Sequence, residues 1–278
     1  MKRLLLISMI ALICSCSTDR DWEHTEPELV VEGWIEAGRA PVVMVTTSVS
    51  PSREFRTVGQ LQDHIVKWGK VSISSPDTTV ILFGKTDKDY YPPYIFTTGW
   101  ISGKAGETYT LNVEYEGMHA SATTTITAPE PLERLSAVKV EGSDSLFTLV
   151  ARLNNRSSDK KYYQIFTKVE GKDSFFVPAF PGAIDGSGIA DNAEIIITQG
   201  RSIERRNFSS NFVKGDLVHV RFCTMDERSW RIWADFDAQT SLGDSPIFPL
   251  YRSPATNING GLGYWAGYGS TYYSIEIE

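Results

Sequence analysis

The chain has 278 residues, with 27 basic against 34 acidic side chains and a net charge of −7. No basic cluster runs along it that could track phosphates, which argues against nucleic acid as a partner. Aromatic residues make up 12% of it, a composition that favours β-structure and binding surfaces.

The chain opens Met1-Lys2-Arg3 and continues with an apolar run, Leu4 to Ile13. A membrane span needs ~20 apolar residues. The shorter run has the dimensions of a signal peptide. It meets Ile13-Cys14-Ser15-Cys16, which resembles the lipobox of bacterial lipoprotein precursors. The expected cut falls before Cys16, so that residues 1–15 leave as the signal peptide and the Cys16 thiol takes a lipid. A further acyl chain, of the palmitate kind, on the freed amine would make anchoring stable. Cys14 is preceded by Leu12 and Ile13, too large for the usual cleavage pocket. With Cys14 removed and Cys16 lipidated, only Cys223 remains of the three cysteines, so no internal disulfide is expected. Residues 16–27 are polar and acidic, and read as a tether.

From residue 28 to 128, short alternating segments predict strands. Leu29 to Ile35, Val42 to Val49, Lys70 to Ser74, Val80 to Phe83, Tyr94 to Thr98, Thr108 to Tyr115 and Ala120 to Thr127 fit the pattern. In Thr108 to Tyr115, Tyr109, Leu111, Val113 and Tyr115 share one face. This spacing predicts an immunoglobulin-like β-sandwich over 28–128. The recurrence of Val58, Leu61, Ile65 and Trp68 predicts one short helix inside it. Two prolines in Ala128-Pro129-Glu130-Pro131 predict a stiff linker over 129–134.

A second β-rich domain is expected over 135–278. Its strands are Leu135 to Val140, Leu146 to Leu153, Tyr162 to Val169, Phe175 to Phe180, Glu194 to Thr198, Leu217 to Thr224 and Thr271 to Ile277. Cys223 reads as a core residue. Thr224 and Glu227 form a capping-box pattern, and Trp230, Trp233 and Phe236 then recur along one amphipathic helix, Ser229 to Thr240. Leu242 to Gly269 reads as a long loop rich in glycine and aromatics, either functional or packed as an irregular edge. Tyr251, Tyr264, Trp265 and Tyr268 are its candidate ligand or partner contacts. The segment Asp185 to Asn192 reads as a turn, with calcium as the lesser alternative.

No catalytic motif is visible. There is no G-x-S-x-G elbow, and His24, His64, His119 and His219 have no metal spacing. No enzyme activity, metal or cofactor is expected.

Several stretches occur together in a known order. They are Val31-Glu32-Gly33-Trp34-Ile35, Gly106 to Leu111, Ala128 to Leu132, Tyr162-Tyr163, the Trp230/Trp233 helix and Asn257 to Trp265. In that order the chain resembles the Bacteroidota lipoproteins grouped as domain of unknown function 4249. Members are commonly encoded beside TonB-dependent outer-membrane receptors and carry no established catalytic residues. The resemblance implies an outer-membrane lipoprotein, held by its N-terminal lipid, that serves such a receptor as a non-enzymatic binding or accessory partner in nutrient uptake, and the acidic tether adds the expectation that it faces the exterior. The acidic tether is similar to the surface-export tag of such lipoproteins. The competing readings are a structural or adhesive surface protein and a surface hydrolase. Asp77-Thr78-Thr79 and Asp144-Ser145-Leu146 are similar to Bacteroidota O-glycosylation sites, with Thr78 and Ser145 as acceptors.

Overall fold

Alternation along each strand decides which side chains are buried, and here one long sheet has both faces in use. The computed structural model describes residues 26–49, 62–153, 160–190, 193–200, 209–243 and 255–278. The first half of the chain supplies β1 (Leu29–Glu36), β2 (Val42–Thr47), β3 (Lys70–Ser74), β4 (Thr79–Ile81), β5 (Phe83–Thr86), β6 (Tyr94–Thr97), β7 (Thr108–Tyr115) and β8 (Met118–Thr125). The second half supplies β9 (Leu132–Lys139), β10 (Leu146–Leu153), β11 (Tyr162–Val169), β12 (Val177–Asp185), β13 (Glu194–Ile197), β14 (Phe212–Val213) and β15 (Leu217–Met225). Helix α1 (Glu227–Gly243) and β16 (Gly261–Glu276) follow.

Eight strands form one sheet in the order β12-β11-β15-β16-β1-β2-β6-β5. Two four-stranded sheets, β4-β3-β7-β8 and one built on β10 with β9, β13 and β14, complete the fold. It is therefore mostly β and sandwich-like, with α1 as the one α-helix among the described residues.

The long sheet turns one face to two cores. Leu29, Val31, Ile35, Val43 and Val45 meet Val71, Ile73, Leu111 and Val113 from β3 and β7 in the first core. Ile165, Val169, Val218, Val220 and Phe222 meet Phe147, Leu149 and Ile197 in the second. On the opposite face α1 packs Trp233 against Phe166, Met225 and Tyr268.

Strand β16 joins the two halves. Its first half pairs in parallel with β1, from Leu29↔Gly261 to Glu36↔Tyr268. Its second half pairs antiparallel with β15, from Thr224↔Gly269 to Leu217↔Glu276. The expected boundary at 129–134 thus does not separate the sheets. Leu132 already belongs to β9, and Ile258 and Trp265, placed by sequence in the second domain, pack in the first core.

The glycine-rich stretch is a strand from Gly261 onward, not a loop, and close backbone approach explains its composition. A Cβ on Gly267 would lie 2.8 Å from the Thr125 carbonyl carbon, and one on Gly269 would lie 2.5 Å from the Thr127 carbonyl oxygen. Gly263 adds a positive φ of 99° and a clash with the Val31 backbone.

Two local expectations are also corrected. The described part of the helix expected around Val58–Trp68 is a 3-10 turn at residues 62–64 followed by irregular chain, and Trp68 is 92% exposed. Residues 58–61 lie outside the described set. The cap of α1 is Asp226, whose Oδ1 accepts from the Ser229 amide at 2.7 Å. Thr224 cannot cap, because β15 runs through Met225 and holds its backbone in the ladder. Its hydroxyl instead donates to the Ala128 carbonyl at 2.7 Å.

These roles predict different costs. Asp226→Ala removes one cap and is expected to cost about 1 kcal/mol in urea unfolding. Gly267→Ala forces a methyl into backbone and is expected to cost at least about 2 kcal/mol. Equal costs for the two variants would contradict the close-approach account of β16.

Candidate functional site

The face of the long sheet turned away from the two cores is concave. Residues of β1, β2, β6, β11, β15, β16 and α1, with the segments at 89–91 and 174–178, surround a cavity of about 1020 Å³. Period-two alternation aims side chains into it. In β1, Val30, Glu32, Trp34 and Glu36 face the cavity while Leu29, Val31 and Ile35 face the core. In β11 and β15, Phe166, Lys168 and Arg221 face it while Ile165, Val169, Val220 and Phe222 face away.

An ion pair lies at its floor. Arg221 Nη1 donates to Glu36 Oε1 at 3.0 Å, and the Tyr272 hydroxyl donates to Glu36 Oε2 at 2.6 Å. Glu36 is 2% and Arg221 6% exposed. Arg39 approaches the same carboxylate at 3.7 Å. The Arg221 guanidinium lies 4.0 Å from the centre of the Phe166 ring and 5.4 Å from those of Trp34 and Phe176. Buried charges are tolerated only when paired in this way, and here aromatic faces supply much of the remaining solvation. Burial pushes the Tyr272 hydroxyl above its ordinary range, and Glu36 adds to the effect.

The walls are aromatic. Trp34 and Tyr90 lie 6.0 Å apart, Tyr91 stacks on Phe175 at 6.1 Å, and Trp233 and Tyr264 lie 5.2 Å apart. Glu32 stands among them, open to the cavity. Its neighbours on this face are Met44 across β2, Tyr264 across β16, and Val30 and Trp34 along β1. Desolvation by these walls raises the Glu32 carboxyl above its ordinary value of 4.5.

The structure divides the four aromatic candidates. Tyr264 lines the cavity. Trp265, one residue on, points through the sheet into the first core; it is fully buried and its indole Nε1 donates to the Tyr109 carbonyl at 3.0 Å. Tyr268 shares the Tyr264 face but lies under α1, fully buried, where its hydroxyl accepts from Trp233 Nε1 at 3.0 Å. Trp265 and Tyr268 are packing residues, because they belong to a central strand and not to a loop. Tyr251 and Cys16 lie outside the described residues. Thr78 and Ser145 are exposed, each just before the second strand of a hairpin. Asp185 caps a 3-10 turn, Gly186–Gly188, by accepting from the Ser187 amide at 2.9 Å. Burial lifts the Cys223 thiol to about 12, so it is a core residue and not a nucleophile. Among the described residues no three His, Cys, Asp or Glu side chains are grouped to hold a metal ion.

Sequence reasoning missed Glu32, Trp34, Glu36, Phe166 and Arg221. The available signal was charge inside an apolar strand, as in Leu29 to Glu36 and Val218 to Cys223.

Two predictions follow from the charges. Arg221→Leu, which leaves buried Glu36 with only the Tyr272 hydroxyl and the more distant Arg39, is expected to lower stability by up to about 3–5 kcal/mol, and the double variant with Glu36→Leu to recover most of the loss. A double variant no more stable than Arg221→Leu would contradict this account. Glu32 has a folded value raised above its unfolded one, so its contribution to stability is full below the unfolded value and is lost as pH rises through the folded value. Glu32 keeps an exposed side, which screens the effect, so Glu32→Gln is expected to stabilise the fold only slightly at pH 7 in thermal melts, with the gain vanishing at about pH 4. A gain independent of pH would refute the assignment.

Comparison with curated proteins returns no match. A family model described as Domain of unknown function (DUF4249) matches residues 17–274, nearly the whole chain. With strands from both ends of that span needed to build the cavity, the match covers the complete site, and the protein belongs to the DUF4249 family.

Proposed function

We propose that this protein is a surface lipoprotein of the outer membrane, anchored through Cys16, that binds a small organic ligand in the β1–β11–β15 cavity and serves a TonB-dependent transporter as a non-enzymatic accessory in nutrient uptake. The observation that carries the binding reading is the cavity. Its volume of about 1020 Å³ stands at the upper end of small-molecule sites, and such sites combine apolar walls with a few placed polar groups. Trp34, Tyr90, Trp233 and Tyr264 supply the walls, and Glu32, Glu36 and Arg221 the polar groups. A purely adhesive stalk has no use for buried charge around an open cavity. A hydrolase is disfavoured because Glu36 is already engaged by Arg221 and Tyr272. The anchor and the transporter rest on the lipobox, the acidic tether and the family resemblance.

The test is a native purification. The full chain, tagged at its C-terminus, is extracted gently from the outer membrane of its own organism. Native mass spectrometry of the extract is expected to show a TonB-dependent receptor in near-equal amount and a bound small molecule. Trp34→Ala with Tyr264→Ala is expected to lose the small molecule and keep the receptor. Cys16→Ala is expected to leave the membrane fraction. A chain recovered alone and empty, and from which no screened small molecule alters tryptophan fluorescence, would refute the proposal.

A further inference from the structure

The cavity is electrically polarised along β1. Glu32 and Glu36 are four residues apart on one face, about 13 Å at ~3.3 Å per residue. The Glu36 end is cationic: Arg39, Lys168 and Arg221 line it against Glu36. Lys168 lies two residues along β11 from Phe166, the ring on which Arg221 rests. Arg39 reaches over the Tyr272 ring, 4.3 Å from its centre, with its side chain 60% exposed. The Glu32 end is the reverse. Its carboxylate has no cationic partner among the described residues, Lys85 on the far side of the cavity being paired with Asp87 at 3.0 Å, and Trp34 and Tyr264 are its neighbours on this face of the sheet. A carboxylate beside aromatic side chains in a cavity wall is an arrangement that receives an organic cation, through charge pairing and ring quadrupoles together.

Resting on the binding reading above, we infer that the cavity takes a ligand with an apolar body, an ammonium at the Glu32 end and an acidic group at the Arg39–Lys168 end, the chemistry of a short peptide. A tetrapeptide in extended form spans about the same 13 Å. Its apolar side chains meet Trp34, Tyr90 and Phe176, and its free amine pairs with the Glu32 carboxylate. The Arg221–Glu36 pair is internally neutral and serves as the floor. Arg39 and Lys168 carry the uncompensated positive charge for the terminal carboxylate.

The experiment uses the full lipidated chain in detergent and one tetrapeptide with aromatic first and last residues. It is offered with free termini, N-acetylated, or C-amidated, and binding is read by calorimetry. N-acetylation is expected to weaken binding by about tenfold or more, equivalent to ~1.4 kcal/mol. C-amidation is expected to weaken it severalfold. Glu32→Gln is expected to abolish the discrimination against the acetylated peptide. Lys168→Gln is expected to reduce the discrimination against the amide alone. Thermal melts confirm that each variant is folded. Equal binding of the free and acetylated peptides overturns the inference and leaves the binding function standing. So does the absence of peptide binding by a chain that retains a different small molecule. A chain that binds neither peptides nor any screened molecule overturns both.

Discussion

The structure depends on the parallel pairing of β16 with β1. Parallel neighbours cannot be joined by a tight turn, and here the connection between them is most of the chain, from Glu36 to Gly261. That single contact closes the first core with Trp265, continues the sheet into the second half through β15, and brings Glu36 beside Arg221. It is possible only because β16 approaches the backbones of β1 and β8 too closely for side chains at Gly261, Gly263 and Gly267. Glycine normally weakens a strand, since it orders a freer chain and packs no side chain. In β16 that cost is offset by the burial of Trp265 and Tyr268, both fully enclosed.

The cavity follows from the same arrangement. A long sheet whose one face is occupied by two other sheets has its second face available, and α1 covers only part of it. The uncovered part holds charge that a core would not tolerate. Arg221 is enclosed by Phe166, Trp34 and Phe176 and keeps one carboxylate partner, Glu36. Replacing such a pair with apolar side chains of the same volume is often neutral or stabilising. Its presence beside an open aromatic cavity is therefore not accounted for by stability alone.

Helix α1 illustrates how local and tertiary determinants divide. The Trp230–Trp233 spacing placed the helix correctly, because a stripe recurring every three to four residues has one burial solution. The capping residue did not follow from the same pattern. Thr224 and Asp226 are both good caps, and the choice fell to Asp226 because β15 retains Thr224 in a ladder with Tyr163 and Gly269. The short helix expected near Val58–Trp68 failed for the opposite reason. A few apolar residues at helical spacing are a weak signal, and in the described part Val66 enters the first core from irregular chain while Trp68 remains exposed.

By itself the sequence determined the β-rich class, most strand positions, the single amphipathic helix and the family. These rest on period-two and period-three patterns that operate within a few residues, and on motif order along the chain. The tertiary structure alone decided that both halves share one sheet, that the glycine-rich stretch is a central strand, and that Glu32, Glu36 and Arg221 meet at one cavity. Glu36 and Arg221 are 185 positions apart. Alternation could say that each pointed out of its own core. Only the closure of β16 against β1 could say that they pointed at each other.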